Sequence, residues 1–177
     1  MNNNPFKELT LDILLTWKCN LSCNKCCLPQ TGPEDSFNDF TKNLDKLYDI
    51  GIRKIVLTGG EPLVRKDIIE IIRYANKKGF EIYISTNGIL LREKWKNIGH
   101  YIAWISLSLD CPTAELNEKI TGKGGILHFN RVLEFLKYYG RLKNKTAKIK
   151  LATLITKQTK IHLIKMKYST FSSYFFI

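Results

Sequence analysis

The sequence predicts an α/β fold, with about five βα units forming a parallel sheet with outer helices, curled into a partial barrel. Short apolar runs alternate with amphipathic stretches of helical spacing from end to end, the pattern of strands joined by crossover helices. The runs are mostly apolar, as strands covered on both faces must be. At 177 residues with 44% hydrophobic content, the chain can build one domain with a real core. A complete barrel typically takes about 200 residues or more.

Residues 9–16, LTLDILLT, read as a buried strand. After a cysteine-rich loop, the spacing of Phe37, Phe40, Leu44 and Leu47 predicts a helix over 36–50, and Ser36 with Asp39 resembles a capping box. KIVLTG (54–59) is the second strand. Asp67 is placed to cap the next helix, which turns Ile68, Ile71, Ile72 and Ala75 to the core. FEIYIST (80–86) and IAWISLSL (102–109) are the third and fourth strands, with ILLREKWKNI helical between them. A helix carrying Ile126, Val132, Leu133 and Leu136 precedes a fifth strand, AKIKLATLI (147–155). The domain is expected over 1–160. Residues 161–177, ending KYSTFSSYFFI, follow neither period and read as an irregular tail, as in a truncated or frame-shifted product.

A formal charge of +12 raises nucleic acid as a partner, yet 22 of the 28 basic residues are lysine and no block of five or more occurs. Arginine carries most bidentate phosphate and base recognition, so this dispersed surface argues against specific nucleic-acid binding. It suits an acidic protein partner, such as an electron donor of the flavodoxin or ferredoxin kind. No run approaches the roughly 20 apolar residues that span a bilayer, and the first residues do not follow an export signal's order of basic, apolar and small segments. The expected location is cytoplasmic, where clustered cysteines more often bind metal than pair.

Chemistry in such folds sits on the loops leaving the carboxyl ends of the strands. Here the first strand is followed by the cysteines, the second by TGGEP, the third by STNG and the fourth by SLD. Cys19, Cys23 and Cys26 are spaced C-x3-C-x2-C. Three thiolates in one short loop can each hold one iron of a [4Fe-4S] cluster, leaving the fourth iron open to another ligand. A four-cysteine zinc site usually needs a second C-x2-C pair, which is missing. Cys27 is a further candidate ligand, although adjacent cysteines rarely reach one centre. Gly-Gly-Glu-Pro taken alone is equally a turn, and Asn-Gly equally a hairpin signal. Asp110 is equally placed to cap a helix near Pro112. TGKGG (121–125) lacks the phosphate-loop pattern and reads as a flexible loop near substrate. His100, His128 and His162 read as structural or solvated, and Cys111 as a packed thiol.

The ordered cysteine triplet and GGEP, over residues 9 to about 160, resemble the radical S-adenosylmethionine superfamily. The resemblance implies a [4Fe-4S] cluster on Cys19, Cys23 and Cys26, whose open iron binds S-adenosylmethionine. It implies reductive cleavage of that molecule to a 5′-deoxyadenosyl radical, which removes hydrogen from a substrate, either a peptide or a small molecule. It assigns Gly59, Gly60 and Glu61 to the methionine moiety, the glycines allowing close approach and the carboxylate accepting from the ligand's ammonium group. Ser85, Asn87, Ser108 and Asp110 match further positions that line the ligand pocket.

Three departures stand out. Lys25 occupies a position usually aromatic in the family. The fifth-strand stretch KLATLITKQ lacks the family's glycines, and about five of its six βα units are recognisable. The sequence also leaves room for an inactive iron–sulfur fragment or a zinc-binding scaffold module.

Overall fold

The computed structural model describes residues 5–155, so the domain boundary expected at 160, the tail at 161–177 and His162 lie outside the described residues. The elements run β1 (Thr10–Leu14), α1 (Phe37–Asp49), β2 (Lys54–Thr58), α2 (Ile68–Lys78), β3 (Glu81–Thr86), α3 (Leu91–Ile98), β4 (Ile102–Ser108), α4 (Ala114–Thr121), α5 (Gly125–Gly140) and β5 (Lys148–Ala152). All strand pairs are parallel and the sheet order is β1-β2-β3-β4-β5. Each strand therefore lies beside its sequence neighbour. The α1, α2, α3 and α5 helices pack successively on one another along one face. This is the open, partial barrel-like α/β arrangement that the alternating pattern predicts.

Strand alternation divides the sheet. Ile55, Leu57, Ile82, Ile84, Ile105 and Leu107 are all fully buried in the main core. They share it with Leu44 of α1, Ile68, Ile71, Ile72 and Ala75 of α2, Trp95 of α3, and Val132 and Phe135 of α5. Each such large apolar side chain contributes roughly 1.5–3 kcal/mol by leaving water. The intervening residues, among them Asp12, Thr58, Tyr83, Ser85, Trp104 and Ser106, line an open hollow of about 420 Å³.

Local signals account for several boundaries. The Ser36 hydroxyl accepts from the Asp39 amide at 3.2 Å and donates to the Asp39 carboxylate at 2.7 Å, so the expected cap of α1 is present. Three expectations need correction. β1 is largely exposed rather than buried, because among the described residues it pairs only with β2 and forms a sheet edge; Leu11 and Leu14 are accessible. Asp67 makes no capping bond to α2, since its carboxylate is taken by the buried Arg65 guanidinium at 2.7 Å. Asp110 does not cap α4; Thr113 does, accepting from the Leu116 amide at 3.3 Å. Ile126 is 45% exposed, because the buried stripe of α5 runs through His128, Phe129, Val132, Phe135, Leu136 and Tyr139 and leaves Ile126 outside it.

Candidate cofactor site at the carboxyl ends of the strands

The loop after β1 is fixed first by the turn after β2. The Gly60 amide donates to the Thr16 carbonyl at 2.8 Å and the Glu61 amide to the Lys18 carbonyl at 2.9 Å. A Cβ on Gly59 would lie 2.4 Å from the Thr16 carbonyl oxygen, and one on Gly60 would lie 2.4 Å from that of Lys18. The glycines are thus required by the approach of two backbones, a reason nearer to hand than ligand approach. At the loop's far end the buried Arg65 donates to the carbonyls of Leu15 and Asp35, each at 2.8 Å.

Between these two clamps, Cys19, Cys23 and Cys26 all line one cleft of about 220 Å³. Gly60, Asn87, Ser108 and Asp110 line the same cleft, so the ends of the first four strands reach it. All five cysteines are free thiols. Cys27 is exposed and does not border the cleft, and Cys111 is fully buried, as a packed thiol should be. Burial pushes the Cys19 and Cys23 thiols above their ordinary range; neighbouring cysteines push the same way, and Lys25 opposes this at Cys23.

Glu61 stands apart from the cleft. It is 1% exposed and accepts from the Leu63 amide at 3.0 Å, and from the Thr86 hydroxyl and Asn87 amide at 2.7 Å each. Burial raises its pKa against those three donors. In this arrangement it staples the end of β2 to the end of β3. Asn87, held by that staple, points its amide nitrogen to Asn20 at 2.7 Å and to the Cys19 sulfur at 3.8 Å. The Asn-Gly pair leads into α3 rather than a hairpin. Ser85 lies away from the thiols, opposite Ser106 in register and on the hollow side of the sheet. Gly59, too, is outside the cleft lining.

The roles of several residues at the site escaped sequence reasoning. His128 is buried, with Nε2 3.0 Å from the Ser108 carbonyl and Nδ1 3.0 Å from the Asn117 side-chain nitrogen. Asn117 also donates to the Gly125 carbonyl at 2.7 Å, so Nδ1 accepts and Nε2–H donates. Burial lowers the His128 pKa. TGKGG is a tight joint between α4 and α5, with positive φ at Gly122 and Gly124. It rests on the cysteine loop, where the Asn24 amide donates to the Thr121 carbonyl at 3.1 Å. The expected flexible loop is therefore a packed support. Lys25 forms an ion pair with Asp110. In the sequence it stands out as a lysine among cysteines, at a position usually aromatic in the family.

The donor set suits a cluster with a polar ligand beside it. Among the described residues no three His, Cys, Asp or Glu side chains are arranged to hold a single metal ion. The three thiols border a shared cleft instead. On its wall the Thr121 hydroxyl is buried without a hydrogen-bond partner among the described residues, an unfilled polar position.

A family model described as the radical SAM superfamily matches residues 13–166. The chain belongs to the radical SAM superfamily. Members use a [4Fe-4S] cluster and S-adenosylmethionine. The chain is 39% identical over 129 residues to a GTP 3′,8-cyclase of Clostridium perfringens, a match covering 64% of this chain and 38% of the cyclase. It is 33% identical over 140 residues to an AdoMet-dependent heme synthase of Oleidesulfovibrio alaskensis, covering 72% of this chain and 36% of the synthase. The chain thus spans well under half the length of these radical SAM relatives. In fold it is similar to Streptococcus suis SuiB, with a TM-score of 0.74 at 24% identity, covering 90% of this chain and 36% of SuiB. SuiB has also been solved bound to S-adenosylmethionine and to its precursor peptide SuiA. No helix among the described residues is long and apolar enough to cross a membrane.

Proposed function

We propose that this chain carries the cofactor-binding part of a radical SAM enzyme, with Cys19, Cys23 and Cys26 as the ligands of its [4Fe-4S] cluster. The observation that supports this most is the meeting of those three thiols with Gly60 and Asn87 on one cleft. When bound, the reduced cluster supplies the electron that cleaves S-adenosylmethionine to methionine and a 5′-deoxyadenosyl radical, which abstracts hydrogen from substrate.

The chain's own residues have separable tasks. The three thiols hold the cluster as thiolates, and Leu21 and Asn87 donate towards the Cys19 sulfur at 3.4 and 3.8 Å. Gly60 keeps the cleft wall free of side chain where the methionine moiety would lie, and Glu61 holds that turn in place. Ser108 and the unpartnered Thr121 hydroxyl offer polar contacts to the ligand. Gly59, Ser85 and Asp110 complete the proposed set, Gly59 through the turn and Ser85 from the hollow face. The substrate is a peptide or a small molecule; SuiA and the GTP of the cyclase's name mark that range among similar proteins. The electron comes from an acidic flavodoxin- or ferredoxin-like donor.

Anaerobic reconstitution tests the reading. Iron and sulfide in near-equal amounts, followed by 5′-deoxyadenosine on reduction with S-adenosylmethionine, are expected from the unaltered chain, with both lost in Cys26→Ala. A colourless protein holding one tightly bound zinc overturns the assignment.

A further inference from the structure

Among the described residues, one lysine lines the cysteine cleft. Lys25 lies between Cys23 and Cys26 in sequence and lines the same cleft as both. Its side chain is 24% exposed, and its ammonium is paired with the Asp110 carboxylate, which is 3% exposed. Asp110 is itself held from behind, since its other oxygen accepts from the Leu154 amide at 2.7 Å. The pair joins the middle of the cysteine loop to the end of β4 and the segment leaving β5.

The two charges are not equally placed with respect to the sulfurs. Lys25 stands on the cysteine loop itself, next to Cys26 and one residue removed from Cys23, whereas Asp110 reaches the cleft from the end of β4. A lysine that merely needed solvent would extend its stem outward. Here it is anchored inward by a buried acid.

We infer that Lys25, oriented by Asp110, is a positioning residue that raises the reduction potential of the cluster bound in this cleft. The inference rests on the cofactor reading above and deepens it. One-electron reduction adds one negative charge to a cluster already held by anionic sulfur. A fixed cation nearby, in a partly water-excluded site, stabilises the reduced form more than the oxidised one. The electron comes from an external one-electron reductant, and no proton or bond need change at Lys25.

The test is an anaerobic redox titration, followed by electron paramagnetic resonance, on reconstituted protein without S-adenosylmethionine. Lys25→Met removes the charge and keeps the stem. Because it strands Asp110 as a buried unpaired acid, the double variant Lys25→Met/Asp110→Asn serves beside it. Both are expected to shift the midpoint to more negative potential at unchanged iron content, while Lys25→Arg stays near the unaltered protein. A common midpoint for all four proteins overturns the inference and leaves the cofactor reading standing. If the methionine variants take up no cluster while Lys25→Arg does, Lys25 is a structural pin and the tuning role falls. Failure of the unaltered chain to take up any cluster overturns both readings.

Discussion

Gly60 shows how little room a single residue has at this site. Its amide and the next one hold the main chain of residues 16–18, and any Cβ there would meet the Lys18 and Trp17 carbonyl oxygens at 2.4 and 2.5 Å. Backbone atoms cannot step aside as a flexible side chain would. Gly60→Ala should therefore cost about 1–3 kcal/mol through strain and the loss of a buried backbone hydrogen bond. Gly140, at the end of α5, has nothing within 4 Å of its missing Cβ, so Gly140→Ala should raise stability by up to about 1 kcal/mol. Urea unfolding of the two variants gives opposite signs if this account holds; equal effects would remove the steric argument. Sequence alone exposed the glycines and cysteines because their types are unusual at that density. It could not reveal the task of Glu61, whose donors include Thr86 and Asn87 some 25 residues on. Nor could it pair His128 with Ser108, 20 residues upstream. Those partners meet only once the strands are in register.

The elements were legible where period alone decides them and obscure where neighbours decide. Ile82, Ile84, Ile105 and Leu107 announce buried strands, and α2 shows its core face in the spacing of Ile68, Ile71, Ile72 and Ala75. That β1 is an exposed edge follows from the sheet order, which no local pattern encodes. The lost cap at Asp67 has the same origin, since Arg65 claims the carboxylate only because it also reaches Leu15 and Asp35. Through those three contacts one guanidinium ties the end of β1, the entry to α1 and the start of α2. It also closes the cysteine loop on the side opposite Gly60. Arg65→Met keeps the stem but leaves two carbonyls and Asp67 without their donor, at an expected cost of about 2–4 kcal/mol. The loop should open at its far end before the helices melt. Proteolysis confined to residues 19–35 at native temperature would show this. Cleavage no faster than in the unaltered protein would mean that the loop is held by other contacts.

At the scale of the molecule, the proposed function makes the charge of +12 a lever on whatever would bring the electron. Summed over a surface, such a field accelerates an oppositely charged partner and slows a like-charged one, and salt weakens both effects. The sign separates long-range steering from simple collision. Reduction of the reconstituted protein by an acidic flavodoxin or ferredoxin should slow by about tenfold or more between roughly 0.05 and 0.5 M salt, because steered association falls steeply with ionic strength. Reduction by a cationic viologen radical should speed up over the same range. The lysines are dispersed, so no single Lys→Ala variant should reproduce the salt effect, and a block of several on one face should. Stopped-flow rates with the two reductants decide the matter. Parallel salt dependence, or none, would mean that the positive surface has no part in delivering electrons to this cleft.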